Sequence, residues 1–548
     1  MFKANQETAF VPTKTISIKP EAQVDYNPIS QNQVRWLIPQ YVGFYDPRGT
    51  MLKYKLQMQG RGITKPDPRA GVHSLWRDVR IRDGTASSEL EMIQDYNVLT
   101  AQWWNYTANE SINHKRDLFE GRSANQDIDQ QLLYGATPDW NAGEQTANPE
   151  RKIVEIEQPI YSGILGGDKV FPVVATKGLR FEMNLDNLRR SLVLNTDLGT
   201  PNQFVQTQST SLNVIGANAK TAIGDTFGVI IQSADEAAEG RGVNKSNDPV
   251  NNNPFSIGDV LYISDEADGA NEEELGVITS FKANATRLEI MYCPNRAIGA
   301  GTAAAHQQGS RIFFKEADRL NGKVLANVPA ANAAAAAEKV SYTISDIELL
   351  LLQVQPPQGY VESLMKQVMS QGGLSMDYRT WTLYRFNLTT LNGLTNQLIP
   401  ANQQRAYSIL SVPLNTGTQS DILRSSFKGI TDGNQNYQYV FGGSLIPDRP
   451  ISLVRYTQTP ARTDALHLVE LEKALVNSNY GVRNLLRVPD RFLIGRAFSK
   501  YGQVFNLSPS SLSLRVEYQG GTKEKVFEHF VQHLRRVNIS NNGVMVMA

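Results

Sequence analysis

His529 and His533 stand four residues apart, the spacing that sets two zinc ligands on one face of a helix. Glu528 precedes the pair, however, whereas the glutamate of a zincin follows its first histidine. The flanking Val526, Phe527, Phe530 and Val531 read as packing, so no metal site is assigned here. The acidic run Asp265, Glu266, Asp268 and Glu272–Glu274 has the charge to hold Ca²⁺. Ala267 stands two residues after Asp265 and no ligand ladder follows, so the run reads as a solvated hairpin tip and not an EF-hand loop. Trp103, Trp104 and Tyr106 could stack on a sugar or a base. Packing in a core or at a subunit interface accounts for them more simply.

The remaining chemistry is equally thin. There is no Gly-x-x-x-x-Gly-Lys-Ser/Thr phosphate loop and no Gly-x-Ser-x-Gly elbow. Among 54 acidic residues nothing selects a catalytic pair. The one cysteine, Cys293, permits neither a thiolate zinc cluster nor an intrachain disulfide, and suits maturation in a reducing compartment. Glycosylation sequons include those at Asn105, Asn109, Asn284, Asn387 and Asn506, and because Met1–Phe10 lack the apolar core of a secretory signal they are expected to be unused. Gly-Gly pairs begin at Gly166, Gly372, Gly442 and Gly520, where turns explain them. No catalytic, cofactor-binding or metal residue is assigned, and no cofactor is expected.

The elements that would position any site are mostly strands. A chain of 548 residues exceeds one ordinary core, so two or more domains are expected. Charge balances at 54 basic against 54 acidic residues, which gives no global reason to coat nucleic acid or an anionic membrane. No run approaches the roughly 18 apolar residues of a membrane-spanning helix. Residues 1–28 are polar and weakly patterned, and read as an extended arm. Leu52, Tyr54, Leu56 and Met58 then alternate with Lys53, Lys55 and Gln57, a strand with one packed and one wet face. Ser88 is placed to cap a short helix carrying Leu90, Ile93, Tyr96 and Leu99. Residues from about 107 to 151 read as a surface excursion.

Leu179, Phe181, Met183 and Leu185 alternate again. Between about 200 and 340, short apolar runs such as Val260–Ile263, Leu275–Ile278 and Leu288–Met291 suggest a small β-barrel inserted into a loop. Pro356-Pro357 marks a domain boundary. Helices are expected near Val361–Met369 and Thr463–Leu475.

One strand module occurs twice. Val170-Phe171 followed by Leu179-Arg180-Phe181-Glu182 is echoed by Val504-Phe505 followed by Leu514-Arg515-Val516-Glu517. Two copies of one β unit suggest two similar β domains in tandem.

Together with Phe44-Tyr45-Asp46-Pro47, Gly71–Trp76, Ile160–Gly163 and Phe492–Arg496, this pattern resembles the double jelly-roll major capsid proteins. That lineage includes adenovirus hexons, virophages and polinton-like viruses, and the last two are nearest. The resemblance implies an all-β chain: two tandem eight-stranded jelly-roll sandwiches, a small β-rich insertion and a few short helices. It divides the chain into an arm at 1–28, a first jelly roll at 29–355 with a tower module at about 200–340, and a second jelly roll at 356–548.

It further implies a non-enzymatic shell protein of a DNA virus. Three copies would form a pseudo-hexagonal capsomer that contacts other capsomers, penton and minor capsid proteins. Such a protein is made in the host cell, is not secreted and resides in the virion. No specific nucleic-acid binding is expected. Two other readings are a minor capsid or spike attachment protein, with the insert as receptor module, and a carbohydrate-binding or carbohydrate-active β protein using Trp103-Trp104.

Overall fold

The computed structural model describes residues 12–59, 65–67, 69–85, 88–107, 120, 153–167, 169–193, 204–206, 227–233, 258–264, 273–284, 287–294, 311–315, 318, 341–370, 373–420, 425–453, 465–477, 492–498, 503–540 and 543–547. Among the described residues, sixteen main strands build two sandwiches. The first uses β1 (Thr13–Ile18), β2 (Gln33–Ile38), β3 (Phe44–Gln59), β4 (Trp76–Asp83), β5 (Glu89–Ile93), β6 (Ile153–Pro159), β7 (Leu179–Leu185) and β8 (Ser341–Val354). The second uses β9 (Leu374–Leu388), β10 (Gly393–Ile399), β11 (Ala406–Asn415), β12 (Asn434–Phe441), β13 (Ser444–Ser452), β14 (Ile494–Ala497), β15 (Leu512–Tyr518) and β16 (Lys525–Ser540).

The first sandwich pairs its strands in the orders β1-β8-β3-β6 and β2-β7-β4-β5. The second has β9-β16-β11-β14 and β10-β15-β12-β13, the same two orders with every label raised by eight. Short strands extend these sheets: Phe171–Pro172 joins β3, and Gly543–Met547 joins β16.

Alternation decides which side chains enter each core. Leu52, Tyr54 and Leu56 of β3 are buried, as are Leu179, Phe181 and Met183 of β7. Trp36 of β2 stacks on Phe181 with ring centroids 4.9 Å apart, and Tyr54 meets Trp76 edge-on at 6.0 Å. The second core gathers Tyr437, Tyr439, Leu514, Val516, Phe527 and Val531. Gly442 and Gly443, at φ 56° and 82°, supply the left-handed two-residue turn that joins β12 to β13.

The duplicated module lies at matching places. Phe171 pairs with Tyr45 near the start of β3, and Phe505 bridges Ala406 at the start of β11. β7 and β15 then follow. Leu179 opens β7 opposite Ile38, while Leu512 opens β15 opposite Ile399. Counted from the strand ends, the echo beginning at Leu514 is therefore displaced by two residues, a shift that keeps every side chain on its face.

Helices recur too. α1 (Tyr96–Thr107) follows β5, and α4 (Ala465–Asn477) follows the corresponding β13. α2 (Leu188–Ser191) follows β7, and α3 (Gln358–Met369) links the two sandwiches. Between β7 and β8, six strands close a separate barrel: Phe204–Gln206, Phe227–Ser233, Val260–Ser264, Glu273–Asn284, Arg287–Pro294 and Arg311–Phe313. None of the described helices is long and apolar enough to cross a membrane.

Two expectations are corrected. Residues 13–18, expected within an extended arm at 1–28, form β1, which pairs antiparallel with Leu349–Val354. Tyr26 is buried and bridges Ile344, so the first sandwich begins well before residue 29. β1 is an edge strand with a mostly exposed pattern, so its sequence lacks the alternation of a core strand. The helix expected from Ser88 is also absent: Glu89–Ile93 is β5, paired with β4, and the helix starts only at Tyr96. Leu90, Ile93, Tyr96 and Leu99 are all buried, but from a strand followed by a helix.

Candidate functional site

The two sandwiches meet along a seam crossed by several hydrogen bonds. β5 is the outer strand of its sheet, so its backbone offers groups to a neighbour. The Tyr378 hydroxyl, on β9, donates to the carbonyl of Leu90. Arg535 Nη2 donates to the carbonyl of Glu89 at 3.2 Å, and Ser88 Oγ to that of Val544 at 2.8 Å. Farther along, Ser425 Oγ donates to Asp67 Oδ2 at 2.6 Å, and the Gln102 amide donates to the carbonyl of Phe427. Each bond joins the first sandwich to the second.

A buried ionic node lies at the centre. Arg190 of α2 reaches Asp95 Oδ1 at 2.6 Å, Asp186 Oδ2 at 3.3 Å and Glu528 Oε1 at 3.4 Å. Arg385 of β9 also pairs with Asp95 and lies 3.0 Å from Glu528 Oε1. Burial alone would lower the Arg190 guanidinium, but the carboxylates of Asp186, Asp95 and Glu528 lift it above its ordinary value. Burial raises the Glu528 carboxyl to about 7, the Asp95 charge pushes the same way, and the two guanidiniums offset only part of this. Glu528 Oε2 has no hydrogen-bond partner among the described residues, which leaves an oxygen where a proton can sit.

This carries a pH dependence. The unfolded Glu528 carboxyl titrates near 4.5 and the folded one near 7, so across that window the folded chain holds the extra proton. Stability from this group is present below about 4.5 and is lost as pH rises towards 7. His467 and His529 are lowered to about 3 and His533 to about 4, all chiefly by burial, and they pull the other way by favouring the unfolded state in acid. The difference between the wild type and Glu528→Gln isolates the carboxyl. Thermal melts from pH 4.5 to 7 should show a smaller loss, or a larger gain, of stability with rising pH in the variant. Parallel pH profiles would remove the assignment.

Farther along the seam, the fully buried Glu91 accepts from Ser162 Oγ at 2.5 Å and from the backbone nitrogens of Gly163 and Ile164 at 2.8 and 3.2 Å. Burial raises its carboxyl, against the pull of these donors. They hold the loop before β7 to β5, and the loop also approaches β9 closely at Gly163. A Cβ on Gly163 would lie 2.1 Å from the carbonyl oxygen of Arg379, so this approach requires glycine. The loop and β9 enclose a cleft of about 630 Å³ lined by residues that include Tyr161, Lys169, Asp377, Arg379, Trp381 and Tyr407.

The residues singled out from sequence lie elsewhere. His529 and His533 are on strand β16, not on a helix. His529 Nδ1 bonds Ser411 Oγ at 2.8 Å and its Nε2 meets Gln397 Oε1 at 3.1 Å; His533 Nε2 meets Thr382 Oγ1 at 2.9 Å. Both rings are thus engaged within the second sandwich. Among the described residues no group of three or more His, Cys, Asp or Glu could hold a metal. Trp103, Trp104 and Tyr106 fall on α1, and Cys293 on Arg287–Pro294, but their side chains lie outside the described residues. So does the acidic run from Asp265 to Glu272. The sequence reading missed Asp95, Arg190 and Arg385, and noticed Glu528 only as a neighbour of the histidines.

No family model matches the sequence, and no characterised relative matches it. Solved structures do. The Faustovirus major capsid protein aligns over 98% of this chain and 92% of its own, at a TM-score of 0.50 and 8% identity. The chain has the double jelly-roll fold. The PBCV-1 virus capsid model aligns over 100% of this chain and 99% of its own, at a TM-score of 0.47 and 8% identity. The Sputnik virophage structure follows with 100% and 91%, 0.41 and 7%. Within this double jelly roll, the ionic node and the Glu91 loop form the seam between its two halves.

Proposed function

We propose that this protein is a structural major capsid protein that tiles the icosahedral shell of a DNA virus. The observation that carries the reading is the repetition of one four-plus-four strand order in a single chain, in the fold of the Faustovirus major capsid protein. Two equivalent sandwiches per chain suit a ring in which three chains supply six similar units, with heterologous contacts that close on themselves. The proposed division places the first jelly roll before about residue 355, with the module at 200–340 as a tower, and the second at 356–548. Penton and minor capsid proteins are the further partners this reading names. It places the mature protein in the virion, made in the host cell without secretion, with no catalytic role.

The mass of the purified protein in solution, followed by imaging of its assemblies, tests this directly. The expected result is a three-chain particle of hexagonal outline. A single chain at every concentration up to the millimolar range would overturn it.

A further inference from the structure

The two sandwiches are covered unequally. In the second, the outer face of the β9-β16-β11-β14 sheet is closed at the seam: Glu528 and Phe530 are each 1% exposed. The matching face of the first sandwich lies open, with Lys53 bridged to Glu155 at 2.7 Å and Lys55 to Asp346 at 2.7 Å, all four well exposed.

Strand registers identify equivalent positions on the two faces. Near the start of β3, Tyr45 pairs with Phe171 on one side and Gln353 on the other. At the start of β11, Ala406 bridges Phe505 and pairs with His533. Gln353 and His533 therefore correspond, and five residues back (353 − 5 and 533 − 5) stand Glu348 on β8 and Glu528 on β16. The faces agree: Leu349 and Leu351 point into the first core as His529 and Val531 point into the second. A basic residue flanks each carboxylate. Arg385 pairs across from Glu528, and Lys19 follows Ile18, the partner of Leu349. In the second sandwich Arg190 and Asp95 complete the node from the other half. In the first, Lys19, Lys53, Asp346 and Glu348 line a cleft of about 430 Å³.

We propose that this face, centred on Glu348 and bounded by the exposed edge of β1, receives a second copy of this chain through that copy's β13 edge and its turn at 519–524. The proposal rests on the capsomer reading above and names its surface. Within the chain, the β5 edge and the connection after β7, which carries Arg190, cover Glu528. β13 is the counterpart of β5, and residues 519–524 are the counterpart of the connection after β7. Lys523 in that turn is exposed, and Leu445 on β13 is 41% exposed. Lys523 of one copy is thus the cation placed to meet Glu348 of the next, as Arg190 meets Glu528 within a chain. Unlike the buried internal seam, this one is rich in exposed charge, so salt should weaken it.

Charge exchange in the full-length protein tests the pairing. Sedimentation velocity over a concentration series would compare wild type, Glu348→Lys, Lys523→Glu, the double variant, and Glu517→Lys on the outer face of β15 as a control. Each single reversal should raise the dissociation constant at least about tenfold, the double variant should recover most of the loss, and the control should match wild type. Unchanged association in Glu348→Lys, or a loss the double variant does not recover, overturns this surface while the capsomer reading stands. A wild-type chain that never associates removes both.

Discussion

Replacing Arg190 with methionine should lower the unfolding free energy by about 3–5 kcal/mol, the range for removing one partner from a buried ionic group. Methionine keeps much of the side chain's volume and removes its charge. Asp95, Asp186 and Glu528 then face one another with only Arg385 close to two of them. Arg385 cannot take over, because it is the more exposed of the two guanidiniums, 42% against 10% by side chain. Pairing Arg190→Met with Glu528→Gln should recover part of the loss above pH 7, where Glu528 would otherwise be left as a stranded charge. Urea unfolding read by tryptophan fluorescence measures both. A loss below about 1 kcal/mol in the single variant would show that the node contributes little to the seam.

Trp36→Ala should cost a similar amount, about 3–5 kcal/mol, but for a different reason. Trp36 is fully buried between the sheets of the first sandwich and stacks on Phe181, so truncation leaves a cavity that two paired sheets cannot collapse to fill. Trp36→Phe should be far milder. It keeps an aromatic face against Phe181, and the indole Nε1 has no hydrogen-bond partner among the described residues to lose. The two variants separate packing from polarity. Equal losses in denaturant melts would contradict a stacking role, because phenylalanine retains the stack.

How much of this could be read from the chain depends on the range of each interaction. β3 and β7 announce themselves because one buried face imposes a period of two on adjacent residues. The helix expected over Thr463–Leu475 is α4, which runs from Ala465 to Asn477, and the helix expected near Val361–Met369 is α3. β1 is quiet because an edge strand need bury little, and its pairing with β8 bridges more than three hundred residues of chain. β5 misleads because Leu90, Ile93, Tyr96 and Leu99 fit a helical stripe, and only the backbone pairing to β4 turns the first part into a strand.

The seam was the least legible feature. Arg190 lies 95 residues from Asp95 and 338 from Glu528, so no local spacing signals the node. The Val-Phe echo did locate equivalent strands, yet the correspondence of Glu348 with Glu528 follows only from the strand registers.

The twelve-residue helix α3 ties one sandwich to the other through Pro357. Its consequence is kinetic. A tethered partner is held at an effective concentration on the order of millimolar, so the internal seam closes as a first-order event that dilution does not reverse. A contact between separate chains obeys mass action and empties on dilution. In any assembly of this protein, therefore, one class of seam is inherited from folding and only the other can be governed by supply.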